Sequence, residues 1–405
     1  MLERSLKYVI EDLSSSFPVL LLTGPRQIGK TTLLESCADE TRSYISLDDL
    51  EERAIAKNDP NLFLQIHKPP LIIDEIQYAP ELLSYIKIHV DKNHNPGDFW
   101  LTGSQRFHLM KGITESLAGR VAVIDMLGLS SAEISGHAHT STPFLPSLDW
   151  ISAANPSYSS DLDSVFQKIW LGSFPKMVTD NGKFRDIFFK SYVQTYIERD
   201  VKGILSISDE LTFYKFLRAA AARTGQLLNY SELARDVGID QKTAKAWLSI
   251  LAASGLVYLL PPYHNNVTKR IIKTPKLYFL DTGLCAFLIG WDSPKSLSLG
   301  AMSGAVLETY VFAEILKTYW HNGKMPHIYF YRDADQREVD FLLDQNDVLY
   351  PVEVKKTATP SLTSTKHFSA LNSLKKDVGV GAVICLRENA IPLSRDVNAI
   401  PVGYL

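Results

Sequence analysis

The sequence predicts an α/β protein built from several domains, and three observations indicate this. Short apolar strands alternate with helical segments in the first third of the chain, helices dominate the middle, and strands of alternating polarity fill much of the last third. The 405 residues are enough for two or three domains with separate cores. A hydrophobic content of 45% and a net charge of −3 are ordinary for a globular protein. Any nucleic-acid surface must therefore be a local patch.

A glycine-bounded turn joins the first clear strand to a helix, in FPVLLLTGPRQIGKTTLLESC. Gly24, Gly29, Lys30 and Thr31 complete the pattern G-x-x-x-x-G-K-[ST], whose glycines let backbone N–H groups point at phosphates. Lys30 is expected to reach the outer phosphates, and the Thr31 hydroxyl is expected to ligate Mg²⁺. An ordinary glycine turn is the alternative. The predicted nucleotide-binding residues are Gly24, Pro25, Arg26, Gln27, Ile28, Gly29, Lys30, Thr31, Thr32, Asp74 and Ser104.

Two later strands end in polar residues that suit the same site. The strand in PPLIIDEIQYAPEL ends at Asp74 and Glu75, which we assign to holding Mg²⁺ and to orienting the attacking water. The strand in DFWLTGSQRFHLM places Ser104 where a sensor of the γ-phosphate belongs. Arg106 and Arg120 are candidates for stabilising the transferring phosphoryl group, from this chain or a neighbouring copy. Pairing with surface acids is the open alternative for both arginines.

These motifs, in this order, resemble an AAA-type ATPase of the archaeal-ATPase kind, which implies a P-loop domain with a parallel sheet. The stretches FFKSYVQTYIERDV and KLYFLDTGLCAFLIG resemble one family within that group, in which a C-terminal domain of unknown function follows the ATPase. The resemblance covers nearly the whole chain. It implies that Arg199, in the trio 198–200, is a nucleotide sensor, with a helix-end salt-bridge cluster as the alternative. Residues 137–160 depart from the family pattern and are expected to form a surface loop.

The segment from DELTFYKFLRAAAARTG to KLYFL resembles a winged helix. Asn229 or Ser231 caps one helix and Gly238 ends it, and Asp240 caps the next. Residues 241–280 contain six Lys or Arg and no Asp or Glu. The predicted DNA contacts, on the second helix and on the wing, are Lys242, Lys245, Lys269, Arg270 and Lys273. Contact with a protein is the alternative role for such a domain.

The stretch EVDFLLDQNDVLYPVEVK, residues 338–355, predicts a β-hairpin. A two-residue turn at Asn346-Asp347 suits residue types that tolerate positive φ. This turn would set Asp340 opposite Glu353 and Glu338 opposite Lys355. Period-two alternation would then place two carboxylates and a lysine on one face of the sheet.

This constellation resembles the PD-(D/E)xK nuclease fold, a restriction-endonuclease-like α/β domain. The resemblance implies metal binding by Glu308, Asp340 and Glu353. It also implies that Lys355 positions the nucleophile or steadies charge at the phosphate. A salt-bridged ribbon is the alternative, since cross-strand Glu–Lys pairs are common on exposed hairpins.

The predicted organisation has four segments: a P-loop ATPase core at 1–136, an insertion loop and helical lid at 137–208, a winged helix at 209–280 and a nuclease-like domain at 281–405. The predicted catalytic residues are Lys30, Glu75, Arg120, Asp340, Glu353 and Lys355. The predicted metal ligands are Thr31, Asp74, Glu308, Asp340 and Glu353.

The expected function is Mg²⁺-dependent ATP hydrolysis coupled to action on DNA, with ATP and Mg²⁺ as cofactors and C-terminal cleavage left open. The alternatives are a nucleotide-switched regulatory or toxin-like protein that binds a partner, and an oligomeric scaffold. Cys37, Cys285 and Cys385 lack disulfide or zinc spacing, which favours a reducing compartment. The N-terminus is not typical of a signal peptide, and no apolar run approaches the ~20 residues of a membrane span. The cytoplasm is therefore the expected location.

Overall fold

The computed structural model describes residues 2–103, 116–154, 156–197, 210–265 and 274–405. The chain forms two units. The first consists of Met1–Gly128, Ala253–Gly255 and Trp320–Gly323, and the second of Leu129–Ala252, Leu256–Tyr319 and Lys324–Leu405. The predicted boundaries at 136, 208 and 280 all fall within the second unit and stay predictions. No helix in the described part of the chain is long and apolar enough to cross a membrane.

The first unit is a five-stranded parallel sheet with helices between its strands. The strands are β1 (Val19–Thr23), β2 (Ser43–Ser46), β3 (Leu71–Asp74), β4 (Phe99–Gly103) and β5 (Val121–Asp125), in the order β2-β3-β4-β1-β5. The helices are α1 (Leu6–Ser14), α2 (Lys30–Cys37), α3 (Leu50–Asn58), α4 (Pro60–Ile66) and α5 (Leu82–Asn93), and a 3₁₀ turn covers Ile76–Tyr78.

The apolar runs that predicted buried parallel strands are buried. Every residue of β1, β3 and β4 is inaccessible or nearly so, as expected for strands covered on both faces. In the parallel register, Thr23 of β1 lies beside Gly103 of β4, and Ser46 of β2 lies beside Asp74 of β3. The carboxyl ends of these strands therefore share one edge, and the glycine-bounded loop leaves from that edge.

The helices of the second unit include short segments and one long central helix. They are α6 (Ser131–Ile134), α7 (Leu148–Ala153), α8 (Leu162–Leu171), α9 (Pro175–Thr179), α10 (Arg185–Tyr196), α11 (Glu210–Ala221), α12 (Tyr230–Val237), α13 (Gln241–Ala253), α14 (Thr282–Ile289), α15 (Pro294–Leu299) and α16 (Ser303–Trp320). Additional 3₁₀ turns cover Ala138–Thr140, Leu362–Thr365, Phe368–Leu374 and Val402–Tyr404. Most of α16 is buried around its whole circumference, which makes it a core helix.

Helices α11, α12 and α13 accompany a small antiparallel sheet. Its strands are β6 (Gln226–Leu227), β7 (Val257–Leu260) and β8 (Lys276–Phe279), in the order β6-β8-β7. The predicted caps are confirmed: the Asn229 side chain accepts hydrogen bonds from the first N–H groups of α12, and Gly238 ends that helix with φ of 81°. Asp240 accepts from the Thr243 N–H at 2.9 Å and so starts α13.

The C-terminal sheet is mixed. Its strands are β9 (Ile328–Arg332), β10 (Glu338–Gln345), β11 (Val348–Lys355), β12 (Asp377–Val378), β13 (Gly381–Cys385), β14 (Ile391–Pro392) and β15 (Val397–Pro401). The main order is β14-β15-β13-β11-β10-β9, with β12 beside β11. Strands β11, β13 and β15 are parallel, whereas β9, β10 and β11 form an antiparallel meander.

The predicted hairpin is confirmed in turn and register. Asn346 and Asp347 have φ values of 52° and 65°, and Phe341 pairs with Val352, as the two-residue turn requires. A shift in the β9 pairing between Val339 and Leu342 adds one residue to β10 there, which is a β-bulge. The backbone pairing of β10 with β11 ends at Phe341 and Val352, so the expected pairs Asp340–Glu353 and Glu338–Lys355 are not part of the ladder.

The segment 137–160 lies largely at the surface, as its polarity predicted, but it contains a short helix and a buried anchor. Phe144 is fully buried. Its N–H donates to Thr318 Oγ1 at 2.9 Å, and its carbonyl accepts from the Tyr319 hydroxyl at 2.7 Å. The one buried aromatic ring and these two bonds to α16 anchor a segment whose composition is otherwise polar.

Candidate nucleotide site and C-terminal acidic centre

The loop between β1 and α2 has the backbone geometry that its glycines permit. Gly24 has φ of 148°, and a Cβ there would lie 2.2 Å from the Met126 carbonyl oxygen. Gly29 has φ of 91° and caps the N-terminus of α2. Gln27 also has positive φ, at 60°. The loop therefore wraps toward the start of α2, where N–H groups and the helix dipole favour an anion.

Lys30 and Thr31 occupy the positions that the motif predicts. The Lys30 ammonium donates to the carbonyls of Gly24 and Pro25, at 3.0 and 2.8 Å, and so lies across the loop. The Thr31 hydroxyl donates to Asp74 Oδ1 at 3.0 Å. The structure thus brings together the lysine, the hydroxyl and the first acid of the DE pair, which the sequence separates by about forty residues.

Asp74 is oriented by two more hydroxyl groups that the sequence analysis missed. Tyr44, on the neighbouring β2, donates to Asp74 Oδ2 at 3.0 Å. Thr102, on β4, donates to Asp74 Oδ1. Neither residue belongs to a motif, because each reaches Asp74 from an adjacent strand rather than along the chain. Tyr44 is 39% exposed, and partial burial together with the Asp74 carboxylate raises its pKa to about 12.

Glu75 lies next to Asp74 but points to a different set of partners. Its backbone is left-handed, with φ of 56°, and its N–H donates to Thr102 Oγ1 at 3.1 Å. The Gln77 amide donates to its carboxylate, and Arg26 Nη1 of the loop lies 3.7 Å from Oε1. The structure therefore places the predicted base beside the phosphate loop. Arg26 places a positive charge next to the Glu75 carboxylate.

The other predicted nucleotide-binding residues differ in solvent exposure. Pro25 and Ile28 are buried, whereas Gln27 and Thr32 are exposed. Ser104, Arg106 and Arg199 lie outside the described residues.

The structure does not bring Arg120 to the loop of its own chain. Arg120 precedes β5, and the parallel register sets Val19 at the start of β1 beside Val121. Arg120 is therefore at the amino edge of the sheet, whereas the loop leaves from the carboxyl edge. Its guanidinium forms a two-point pair with the Asp91 carboxylate, with the longer contact at 3.0 Å. This matches the surface pairing that the sequence left open.

Two of the predicted DNA contacts are described and exposed. Lys242 and Lys245 both lie on α13, and the Lys245 ammonium is 5.3 Å from the centre of the Tyr230 ring. Lys269, Arg270 and Lys273 fall outside the part of the chain that the structure describes. Lys276, counted among the six basic residues of 241–280, is not a surface residue, since only 3% of its side chain is exposed.

Asp340, Glu353 and Lys355 come together at the end of the hairpin. The Lys355 ammonium lies 2.5 Å from Glu353 Oε2 and 3.9 Å from Asp340 Oδ2. Asp340 accepts the Val354 N–H at 2.9 Å. Burial raises the pKa of Glu353 well above its usual range, and the adjacent Asp340 raises it further while Lys355 opposes the rise.

Glu308 is held by two side chains of β8 instead. The Lys276 ammonium and the Tyr278 hydroxyl both contact Glu308 Oε1, at 3.0 and 2.5 Å. Lys276 also lies 2.6 Å from Glu338 Oε1. Burial raises the pKa of Glu308, and Asp340 adds to the rise while Lys276 opposes it.

The predicted three-carboxylate ligand set is therefore divided. Asp340 and Glu353 meet each other, whereas Glu308 bonds to a lysine and a tyrosine. Within the described ranges, no group of three or more His, Cys, Asp or Glu side chains is arranged to hold a metal ion.

Burial by itself would lower the pKa of Lys276, but Glu308, Asp340 and Glu338 raise it overall. No sequence signal marks Lys276, because its position in a basic segment favours the surface.

Comparison with known proteins supports the first part of this organisation. Residues 16–135 match an AAA domain, 162–295 a domain of unknown function (DUF8612) and 303–405 a second domain of unknown function (DUF4143). The AAA match and the loop geometry indicate a P-loop ATPase. The order also agrees with the predicted resemblance, in which a domain of unknown function follows the ATPase.

Two curated relatives and one solved structure are similar to the chain. The Walker-type ATPase PABY2304 of Pyrococcus abyssi has a TM-score of 0.44 and 15% identity, over 71% of this chain and 96% of that chain. The uncharacterized proteins Mb2031c of Mycobacterium bovis and Rv2008c of Mycobacterium tuberculosis are each 30% identical over 394 residues, which is 96% of this chain and 81% of the relative. The chain belongs to the family of these two mycobacterial proteins, and it carries an N-terminal AAA domain.

Proposed function

We propose that the chain is a Mg²⁺-dependent ATPase that acts on DNA and that its C-terminal sheet carries a phosphodiesterase centre. The observation that carries the proposal is the convergence of Asp340, Glu353 and Lys355 in a chain that also holds a P-loop site. Two carboxylates and a lysine at the ends of two neighbouring strands can bind a cation and face a phosphate.

The P-loop site has oxygen donors that fit Mg²⁺. The Thr31 hydroxyl and the Asp74 carboxylate lie 3.0 Å apart, and hard oxygen donors of this kind are those that Mg²⁺ prefers. When bound, Mg²⁺ would neutralise charge on the outer phosphates. Tyr44 and Thr102 fix the orientation of Asp74, so that the carboxylate keeps one position toward the cation.

Lys30 and Glu75 have distinct roles in this proposal. Lys30 binds the outer phosphates of ATP in the ground state, so its loss weakens nucleotide binding. Glu75 orients and deprotonates the attacking water, so it contributes to turnover alone. Arg26, 3.7 Å from Glu75, is close enough to hold that carboxylate in place beside the loop.

DNA contact is supported by the element order around α13. Among the described residues, the order helix, strand, helix, helix, strand, strand, with a sheet arranged β6-β8-β7, supports the proposed winged helix. Exposed Lys242 and Lys245 lie on the second helix of the pair, where a winged helix meets phosphates. Lys269, Arg270 and Lys273 complete the proposed surface on sequence grounds.

The C-terminal centre resembles the PD-(D/E)xK arrangement at three positions. The carboxylates of Asp340 and Glu353 supply oxygen donors that fit one divalent cation, which would polarise a phosphate and a bound water. Lys355 lies beside both acids and provides a positive charge at the place where a phosphate would develop negative charge.

A second function is favoured by the way in which Glu308 is bound. Lys276 and Tyr278 already satisfy Glu308, so the third predicted ligand is engaged by protein groups. A nucleotide-switched regulatory protein, whose C-terminal domain binds a partner without cutting DNA, would retain such a centre. We also propose a cytoplasmic location, supported by the cysteine spacing, and the homo-oligomer that the sequence analysis left open.

The test incubates the protein with branched, single-stranded and duplex DNA in Mg²⁺, with and without ATP. A DNA-acting ATPase should hydrolyse ATP several-fold faster with at least one of these DNAs, and Lys30→Ala should abolish the stimulation. An ATPase rate that ignores all three DNAs would favour the partner-binding alternative. Cleaved strands that require Asp340 would support the phosphodiesterase centre, and light scattering with and without ATP would show whether copies assemble.

A further inference from the structure

The acidic centre of the second unit contains a buried lysine that no motif assigns. Lys276 lies on β8, and its side chain is 3% exposed. Its ammonium is 3.0 Å from Glu308 Oε1 on α16 and 2.6 Å from Glu338 Oε1 on β10. Three elements distant along the chain therefore meet at one cation.

The contacts divide four carboxyl groups into two halves. One half contains Glu308 and Glu338, bridged by Lys276, and the other contains Asp340 and Glu353, which adjoin Lys355. The two halves adjoin each other, since Glu338 of one half and Asp340 of the other lie two residues apart on β10.

Lys276 occupies the position between its two carboxylates that a cation would otherwise take. The distances are those of charge-assisted hydrogen bonds, and the buried Lys276 ammonium needs these partners because an unpaired buried charge is strongly destabilising. Glu338 is 29% exposed, and its Oε2 also lies 3.6 Å from Arg332 Nη1. The Tyr278 hydroxyl donates to the same oxygen of Glu308, which leaves that oxygen with two donors. A divalent ion that bridged Glu308 and Glu338 would have to displace the ammonium.

We propose that Lys276 is a built-in cation that excludes a divalent metal ion from the Glu308–Glu338 half of the centre. The centre then offers only its Asp340–Glu353 half to a metal. An ammonium neutralises the charge of the carboxylates, but it cannot bind water as a ligand or lower the pKa of that water. Lys276 therefore supplies the positive charge of a metal ion without its ability to activate water. The proposal depends on the proposed phosphodiesterase centre for the Asp340–Glu353 half alone.

The test counts Mn²⁺ bound per chain in the full-length protein without nucleotide, by electron paramagnetic resonance and by calorimetry. Lys276→Met should bind one more Mn²⁺ than the wild type, and Lys276→Met with Glu308→Gln should lose that extra ion. Lys276→Arg, which keeps the charge, should not gain an ion. Lys317→Met is the matched control, because Lys317 is an equally buried lysine of α16 that pairs with Glu314.

The outcomes separate this proposal from the proposed function. Counts of one and two ions in wild type and Lys276→Met support both when the wild-type ion is lost in Asp340→Asn and kept in Asp74→Asn. Counts of zero and one, or a wild-type ion lost only in Asp74→Asn, support the built-in cation while removing the metal-dependent centre. Equal counts in the two proteins overturn the built-in cation.

Folding is followed by circular dichroism to keep the test decisive. A Lys276→Met protein that unfolds in EDTA and regains the wild-type spectrum with Mn²⁺ supports the proposal, because an ion then takes the place of the ammonium. A protein that stays unfolded in Mn²⁺, while Lys276→Gln also gains no ion, overturns it.

Discussion

The carboxylate of Asp340 accepts a hydrogen bond from the backbone N–H of Val354 at 2.9 Å, just where β10 and β11 stop pairing through their backbones. The β-bulge between Val339 and Leu342 lies at this position and re-aims the chain. The Asp340 side chain thus accepts a bond that a backbone carbonyl would accept in a regular ladder, and this bond orients the carboxylate. Glu353 lies beside Asp340 on β11, where the backbone of β11 pairs with Val383 of β13.

Asp340→Asn and Glu353→Gln should each remove DNA cleavage and leave ATP hydrolysis unchanged, because the two centres belong to different units. Lys355→Ala should lose cleavage but still bind Mn²⁺, since an ammonium is not a ligand. Gel assays of labelled DNA and a phosphate-release assay on the same preparations measure the two activities. Cleavage that persists in both carboxylate variants would assign it to another site or to a contaminant.

Lys30→Ala and Glu75→Gln should separate nucleotide binding from turnover. Loss of the Lys30 ammonium removes a charge-assisted contact, so ATP should bind about 10- to 100-fold more weakly. Glu75→Gln should keep binding and lower kcat by about 100-fold or more, because only the proton transfer is lost. Fluorescent-nucleotide titration and steady-state rates measure these. Undiminished hydrolysis by Glu75→Gln would reject Glu75 as the base.

Tyr44→Phe should raise the Mg²⁺ concentration needed for half-maximal ATPase activity by about 5-fold, because the hydroxyl orients Asp74 and a bond to a charged group contributes about 1 kcal/mol or more. The rate at saturating Mg²⁺ should change little. Tyr85→Phe is the matched control, since Tyr85 is an exposed tyrosine of the same unit. An unaltered Mg²⁺ dependence in Tyr44→Phe would mean that Asp74 needs no help from β2.

Replacing Lys242 and Lys245 together by alanine should weaken duplex DNA binding and lower the slope of log K against log salt by roughly 1.8, which is about 0.9 for each phosphate that a lysine no longer neutralises. Fluorescence anisotropy over a range of salt concentrations gives both quantities. The control removes Lys57 and Lys92, two exposed lysines of the first unit. If the two double variants behave alike, α13 faces a protein rather than DNA.

Glu353→Gln should gain stability relative to wild type as pH rises. The Glu353 pKa is raised in the folded chain, so the unfolded chain ionises first above its usual pKa of 4.5, and the wild type loses stability from there upward. The glutamine protein lacks this loss. One pKa unit corresponds to about 1.4 kcal/mol. The Tm of Glu353→Gln minus that of the wild type, here called the gap, should therefore increase by about 2–4 °C or more between pH 5 and pH 8 in EDTA. Glu388→Gln, at an exposed site, should show a constant gap. A constant gap in Glu353→Gln as well would show that this carboxyl titrates normally.

Local rules predicted the features that depend on neighbouring residues. The Asn346-Asp347 turn determines the hairpin register, and the glycine spacing of the phosphate loop determines where Lys30 and Thr31 lie. Both depend on a few consecutive residues whose backbone preferences are strong. The caps at Asn229 and Gly238 follow for the same reason.

The features that escaped prediction all depend on distant contacts. Lys276 and Glu308 are 32 positions apart, and a basic stretch gives no sign that one of its lysines turns inward. Tyr44 reaches Asp74 because β2 and β3 are adjacent, an order that the sequence does not state. Phe144 is buried by α16, although its own segment is polar. The bulge at Asp340 likewise reflects how β9 pairs, and no residue type marks it.

The two-residue turn at Asn346-Asp347 also determines which changes the C-terminal hairpin can accept during evolution. Single substitutions along β10 or β11 alter one contact at a time. One inserted or deleted residue in either strand between the turn and the acids would slip the pairing, and every side chain beyond it would exchange faces. Asp340 would then point into the apolar cluster that now includes Val339 and Leu342. Those two apolar side chains would instead face Lys276 and Lys355. Length polymorphism among relatives should therefore accumulate elsewhere in the chain and be nearly absent from residues 340–353.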